Sequence, residues 1–161
     1  MTDTLGTSDE RADAVHLLEA EFGELGNRFR RLMHENAQRV SPGMLPAAYK
    51  VFTTIARRDQ VTPSALADHM LMDRGQLSRT LRELEELGLI TRSPDPADGR
   101  SSLLSATPEG HARLAAARAP QEGLLTDKLA EWSVEDIRSL TRLLHALTAG
   151  IQPGSGEPSS Q

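Results

Sequence analysis

The side chains best suited to chemistry lie in residues 73–88, where leucines alternate with basic and polar groups. The leucines recur at the i, i+4, i+7 spacing of one helical face, starting from Leu77. The other face carries groups that hydrogen-bond phosphate oxygens and base edges, namely Arg74, Gln76, Ser78, Arg79 and Arg82. Such a helix can pack on a core with one face and present the other to a DNA groove.

Local signals specify both ends of this helix. Asp73 is a good N-cap, Gln76 stands where a capping box places its second residue, and Gly88 stands where a left-handed residue ends a helix. Some of the polar residues have other uses, because Gln76 can serve the cap and Arg82 can pair with Glu86 one turn away. The helix arginines can equally be solvated surface residues.

A shorter helix precedes this one, with Thr62 as its predicted N-cap and Pro63 at its first position. Only two residues separate its end from Asp73, so the two helices form a helix-turn-helix pattern. Thr62 and Ser64 stand at a helix N-terminus, where hydroxyl and backbone N–H groups can bind phosphate. Capping alone, however, accounts for Thr62.

After Gly88 the hydrophobic period changes to that of β-strands. Residues 89–92 and 102–105 are short strand candidates, and the segment between them is dense in turn residues, with Asp98-Gly99 the strongest signal. We predict a β-hairpin, which forms a wing beside the helix-turn-helix.

Long helices flank this region. One is predicted over residues 10–39 and repeats apolar residues every seven positions. Another begins at its N-cap Thr107 and is interrupted near Pro120, and the last begins at its N-cap Ser133 and ends near Ile151. A further helix over residues 46 to about 58 joins the first of these to the helix-turn-helix. The apolar faces of the first and last helices can be ordinary core. One small domain, however, has too little other surface to cover both faces, which favours dimerisation.

Charge is unevenly spread along this chain of 161 residues, whose net charge is -5. Residues 50–82 hold six basic and three acidic side chains, which fits a local anion-binding face or chance. The chain has no cysteine and no apolar run long enough to span a membrane, and its first residues lack the features of a signal peptide. We expect no disulfide, no membrane span and a cytoplasmic location.

The sequence shows no catalytic or metal-binding pattern. No two of the five histidines stand at i+3 or i+4 spacing, and there is no glycine-rich phosphate loop and no cysteine nucleophile. We therefore expect no metal site, no cofactor and no enzyme activity.

The order of these elements resembles the MarR (multiple-antibiotic-resistance regulator) family of bacterial transcription factors, over roughly residues 10–150. Several motifs carry the resemblance in the right order and at the right spacings. They are Leu66-Ala67, Leu77-Ser78-Arg79-Thr80-Leu81, Leu84-Glu85, Gly88-Leu89-Ile90, Asp95-Pro96-Ala97-Asp98-Gly99-Arg100 and Thr107-Pro108-Glu109-Gly110.

The resemblance implies a homodimer, held together by its first and last helices, that binds pseudo-palindromic operators in double-stranded DNA. It places the five polar residues of the 73–88 helix in the major groove. Arg100 then reaches the minor groove from the wing, where Asp98 orients it. The sequence departs from the family at Gly75, where many members carry Ser or Thr, so one phosphate-binding hydroxyl is missing.

The resemblance also implies a small, often aromatic ligand between the dimer helices and the DNA-binding lobe. His34, Tyr49, Phe52 and Trp132 are candidates to line such a pocket, although core is the commoner fate of scattered apolar residues.

The predicted fold is mainly α-helical with a small β-hairpin wing, a winged helix-turn-helix with N- and C-terminal dimerisation helices. Residues 1–9 and 152–161 are expected to be disordered, and residues 10–151 to form a single domain. Its DNA-binding lobe covers about 46–106 and its dimerisation helices about 10–39 and 107–151. We predict a sequence-specific transcriptional regulator, a repressor released by a small ligand. The alternative is a winged-helix module that binds a protein and no DNA.

Overall fold

The computed structural model describes residues 4–96, 98 and 101–153, with side chains from residue 9 onward. The chain forms two compact units, residues 1–120 and residues 121–161. The first contains α1 (Thr4–Val40), α2 (Pro46–Arg58), α3 (Pro63–Met70), α4 (Arg74–Glu86), β1 (Ile90–Pro94), β2 (Ser102–Ala106) and α5 (Pro108–Arg118). The second contains α6 (Leu124–Lys128) and α7 (Val134–Ala149), and a short 3-10 turn, Ala119–Gln121, stands at the division. The predicted fold class, mainly helical with a two-stranded wing, is confirmed.

Three helices of the first unit begin at the predicted caps. The Thr62 hydroxyl accepts a hydrogen bond from the backbone N–H of Ala65 at 3.2 Å, and the Asp73 carboxylate accepts one from Gln76 at 3.0 Å. The Thr107 hydroxyl accepts from the N–H of Gly110 at 2.9 Å. These bonds satisfy donors that a helix leaves unpaired at its start, so short local patterns suffice to fix the starts.

Helix α1 begins earlier than the sequence suggested. Residues 4–9, expected to be disordered, are helical. The difference follows from helix cooperativity, because adding a residue to an existing helix is much easier than starting one. The C-terminal turns of α1, which include the buried Ala37 and Val40, anchor the helix to the core.

The core is centred on α2, which is buried through Tyr49, Phe52 and Ile55. The leucine face of α4 packs into the same cluster, through Leu77, Leu81 and Leu84, as predicted from the spacing. Burial of each such side chain contributes roughly 1.5–3 kcal/mol to folding. The core therefore fixes which face of α4 points outward.

The wing is the antiparallel pair β1 and β2, with Ile90 opposite Ala106 and Pro94 opposite Ser102. Val61, just before α3, forms an isolated bridge to Leu104 of β2, with reciprocal backbone hydrogen bonds of 3.1 and 2.9 Å. These two hydrogen bonds connect the wing to the start of the helix-turn-helix.

In the second unit, Gly123 adopts a left-handed φ of 83° before α6, at the interruption predicted near Pro120. The predicted cap of α7 is present, with the Ser133 hydroxyl accepting from the N–H of Asp136 at 3.0 Å. Within the described ranges, no helix has the length and apolar character needed to cross a membrane.

Candidate nucleic-acid interface

The outer face of α4 is polar and open to solvent. Its side chains Arg74, Gln76, Ser78, Arg79 and Arg82 are all exposed, opposite the buried leucines. Between described residues, no ion pair involves Arg74, Arg79 or Arg82, so the alternative pairing of Arg82 with Glu86 is not present. Three guanidinium groups on this face keep their hydrogen-bond donors available for an anionic partner.

The start of α3 presents two hydroxyl groups. Thr62 is used by its cap, and its oxygen also lies 3.3 Å from the hydroxyl of Ser64. Ser64 is exposed. The pair stands at a helix N-terminus, where the helix dipole favours an anion.

A cleft of about 330 Å³ separates α4 from the wing. It is lined by two arginines, four serines and three apolar side chains: Arg74, Arg92, Ser64, Ser78, Ser101, Ser102, Pro63, Leu77 and Leu81. Three of these residues, Arg92, Ser101 and Ser102, were not predicted as site residues. They lie in or beside the predicted strands, and nothing in the local pattern indicated that the hairpin would bring them against α4.

Arg92 makes a defined contact across this junction. Its Nε donates to Oε1 of Glu85 at 2.7 Å, and the two side chains are 36% and 30% exposed. Glu85 lies in the last turn of α4 and Arg92 in β1, so the ion pair connects the helix to the wing.

The predicted tip of the wing is described only in part. Arg100, the predicted minor-groove residue, lies outside the described residues. Asp98 is exposed, and its carbonyl oxygen accepts from the N–H of Ser101 at 2.8 Å. The predicted support of Arg100 by Asp98 thus stays a prediction.

A larger cavity, about 960 Å³, lies between α1, α2 and α5 of the first unit. Its basic lining residues come from three helices: Arg30, Lys50, Arg57, His111 and Arg118. The apolar wall includes Phe29, Met33, Tyr49 and Leu114. None of the described lining residues is acidic, so the cavity suits an anion with an apolar body.

The three predicted ligand-binding residues of the first unit are dispersed. Tyr49 borders the cavity, and its hydroxyl accepts from Nε of Arg118 at 3.4 Å. Phe52 is fully buried in the core and His34 is exposed on α1, and neither borders the cavity. Trp132 belongs to the second unit, where it lines a groove beside α7 with Leu140.

Among the described side chains, no cluster of three or more histidine, aspartate or glutamate residues is able to hold a metal ion.

A helix-turn-helix with a basic outer face on its second helix, followed by a β-hairpin, defines a winged helix-turn-helix protein. The profile of the MarR family matches residues 43–101. A putative transcriptional regulatory protein for the hcr operon of Thauera aromatica is 34% identical over 114 residues, 67% of this chain and 68% of that protein. The chain therefore belongs to the MarR family, and it is a DNA-binding transcriptional regulator rather than an enzyme.

Other similarities agree with this assignment. An HTH-type transcriptional regulator of Mycobacterium tuberculosis is 32% identical over 98 residues, 59% of this chain and 68% of that protein. The crystal structure of Streptococcus pneumoniae FabT in complex with DNA has a TM-score of 0.74 at 18% identity, covering 84% of this chain and 96% of FabT. The crystal structure of a MarR family transcription regulator has a TM-score of 0.75 at 22% identity, covering 89% of this chain and 94% of that one. At these identities the two structures show a shared fold.

Proposed function

We propose that the protein is a homodimeric repressor that acts in the cytoplasm and reads a pseudo-palindromic operator in double-stranded DNA. The observation that carries the proposal is the outer face of α4. Its arginines are exposed and without ion-pair partners among the described residues, while its leucines hold the helix against the core. In this reading α4 enters the major groove, Thr62 and Ser64 meet phosphates, and Arg100 enters the minor groove with Asp98 as its support.

Exposed apolar residues support a dimer through the terminal helices. On α1, side chains at or near heptad spacing are 38–60% exposed, namely Val15, Leu18, Phe22, Leu25 and Phe29. On α7 another set is 39–57% exposed, namely Leu140, Leu143, Leu144, Leu147 and, just past its end, Ile151. Contiguous apolar stripes of this kind mark association surfaces. We assign the helices of residues 4–40 and 108–149 to dimerisation and residues 46–106 to the DNA-binding lobe.

The cavity supports release by a small ligand. Basic groups surround an apolar wall, so its ligand is an anion with an apolar, aromatic body. The walls are α1, α2 and α5, and α5 begins with a hydrogen bond to the end of α4. A ligand that shifts α5 can therefore shift α4 as well.

The rival function is a winged-helix module that binds a protein and no DNA. The net charge of -5 favours it, while membership of the MarR family and the arginines of α4, which have no ion-pair partner among the described residues, oppose it. Selection of bound fragments from the genome of origin, followed by titration in increasing salt, separates the two. A DNA-reading protein enriches a symmetric sequence and loses affinity steeply with salt. Equal, weak affinity for every duplex at all salt concentrations would contradict sequence-specific regulation and favour the protein-binding function.

A further inference from the structure

We propose that the cleft between α4 and the wing is an oxyanion site that holds one backbone phosphate of the bound DNA. Arg92 is its main ligand from the wing, and Glu85 is the positioning residue of that arginine. The inference rests on the proposed function, because it concerns DNA held by α4.

The lining of the cleft matches the chemistry of a phosphate. Two guanidinium groups come from opposite walls, Arg74 from the first turn of α4 and Arg92 from β1. Four serine hydroxyl groups supply further donors, and none of the described lining residues is acidic. The apolar floor of Leu77 and Leu81 excludes water from one side, which strengthens hydrogen bonds to an anion.

Arg92 is arranged to hold such an anion. Glu85 engages its Nε, so the two terminal nitrogens of the guanidinium keep donors for an anion in the cleft that Arg92 lines. The backbone of Arg92 is fixed as well, because β1 pairs it with Leu104 of β2. A planar group held at both ends loses little freedom when it binds a phosphate.

A role in stability alone explains this contact poorly. The ion pair is about one third exposed on both sides, and exposed pairs of this kind contribute little to folding. A shared phosphate, in contrast, would join α4 to the wing only when DNA is bound. The cleft would thereby set the angle at which both elements meet the duplex.

The first test measures how DNA affinity depends on salt for Arg92→Ala. Each neutralised phosphate contributes about 0.9 to the magnitude of the slope of log K against log salt. The slope measured for the variant should therefore be smaller by about one for each protomer. Arg113→Ala is the matched control, since its Nε also lies 2.7 Å from a glutamate, Glu109, and its side chain is 41% exposed, but on α5 outside the cleft. An unchanged slope for Arg92→Ala overturns the inference. If the unaltered protein binds no duplex, the proposed function itself fails.

The second test concerns the sign of a charge effect at Glu85. Removing a carboxylate near DNA should normally strengthen binding, because it reduces repulsion. If Glu85 positions Arg92, Glu85→Gln should instead weaken binding. The neighbouring Glu86→Gln changes the same charge and should bind equally well or better. Stronger binding by both variants contradicts the positioning role. Thermal unfolding of each variant confirms that it is folded.

The third test identifies the source of the phosphate. Single backbone phosphates of the selected operator are replaced by neutral methylphosphonates, one position at a time. At one position in each half-site the unaltered protein should lose affinity while Arg92→Ala loses none beyond its own deficit. Identical profiles for the two proteins would mean that Arg92 holds no DNA phosphate, as when the cleft takes only a free anion.

Discussion

The hydroxyl of Thr107 donates a hydrogen bond to the carbonyl oxygen of Gly88 at 2.6 Å, although the two residues are nineteen positions apart. Gly88 follows the end of α4 in a left-handed conformation with φ of 71°, and Thr107 is the cap of α5. The backbone N–H of Thr107 also donates to the carbonyl of Leu89 at 3.0 Å. The start of α5 is thus bonded directly to the two residues that follow the last turn of α4 and its C-cap.

Gly110→Ala should disrupt this junction. A Cβ at Gly110 would lie 2.2 Å from the carbonyl oxygen of Leu89, which is backbone and cannot move aside cheaply. We expect a loss of roughly 1–3 kcal/mol in the free energy of unfolding, the usual cost of overpacking. Urea unfolding measures it. Gly23→Ala in α1, where nothing lies within 4 Å, is the control and should gain stability by up to about 1 kcal/mol. Equal effects at the two sites would contradict the tight contact.

Arg79→Ala should change sequence preference. Arg79 is exposed in the second turn of α4, where base edges are within reach, so its loss should cost roughly 1–3 kcal/mol of binding and relax one position of each half-site. Arg100→Ala should weaken binding to many sequences alike, because the minor groove offers mainly width and negative potential. Titration against single-base variants of the operator measures both. If Arg100→Ala changes the base preference in the major groove and Arg79→Ala does not, the assignment of α4 to the major groove and the wing to the minor groove is wrong.

Leu140→Glu combined with Leu144→Glu should break the dimer. These side chains are 41% and 39% exposed on α7, and two carboxylates in an apolar interface should cost several kcal/mol. Sedimentation should show the variant as a monomer and the unaltered protein as a dimer at micromolar concentration. Arg138→Glu with Arg142→Glu has the same spacing on a different face of α7 and should leave the dimer intact. If the unaltered protein is a monomer, the apolar residues of α7 do not form a dimer interface and belong to the core of a single chain.

Benzoate should weaken DNA binding, and its neutral analogue benzamide should not. The five basic groups of the cavity favour a carboxylate on an aromatic body, and they give no such advantage to an amide. Fluorescence anisotropy of labelled operator measures the release. Arg118→Met should reduce the response to benzoate, and Arg113→Met, on the same helix but outside the cavity, should not. An equal response to both compounds would show that the charge of the ligand is not recognised by the basic residues of the cavity.

Short-range features were predictable from the sequence. The caps at Thr62, Asp73, Thr107 and Ser133 each use a side chain and an N–H three residues away, so a local pattern is enough. The left-handed Gly88 is of the same kind.

Features that depend on how separate elements pack against each other were missed. Glu85 and Arg92 stand on either side of a helix-to-strand turn, and their pairing depends on how the hairpin folds back. The basic lining of the cavity combines α1, α2 and α5, so no sequence window contains it. Phe52 was a candidate ligand contact because the family resemblance implies a pocket, although its helical spacing favoured the core, and it lies in the core.

The β1 edge of the hairpin affects how molecules of this protein associate at high concentration. On its far side β2 is bridged by Val61, whereas β1 has no second partner strand among the described residues. An unpaired strand edge can recruit the same edge of another molecule and start aggregation. Here that edge carries Arg92, a charge, and ends at Pro94, which has no N–H to donate. The charge of Arg92 and the missing N–H of Pro94 should therefore make edge-to-edge association through β1 less favourable.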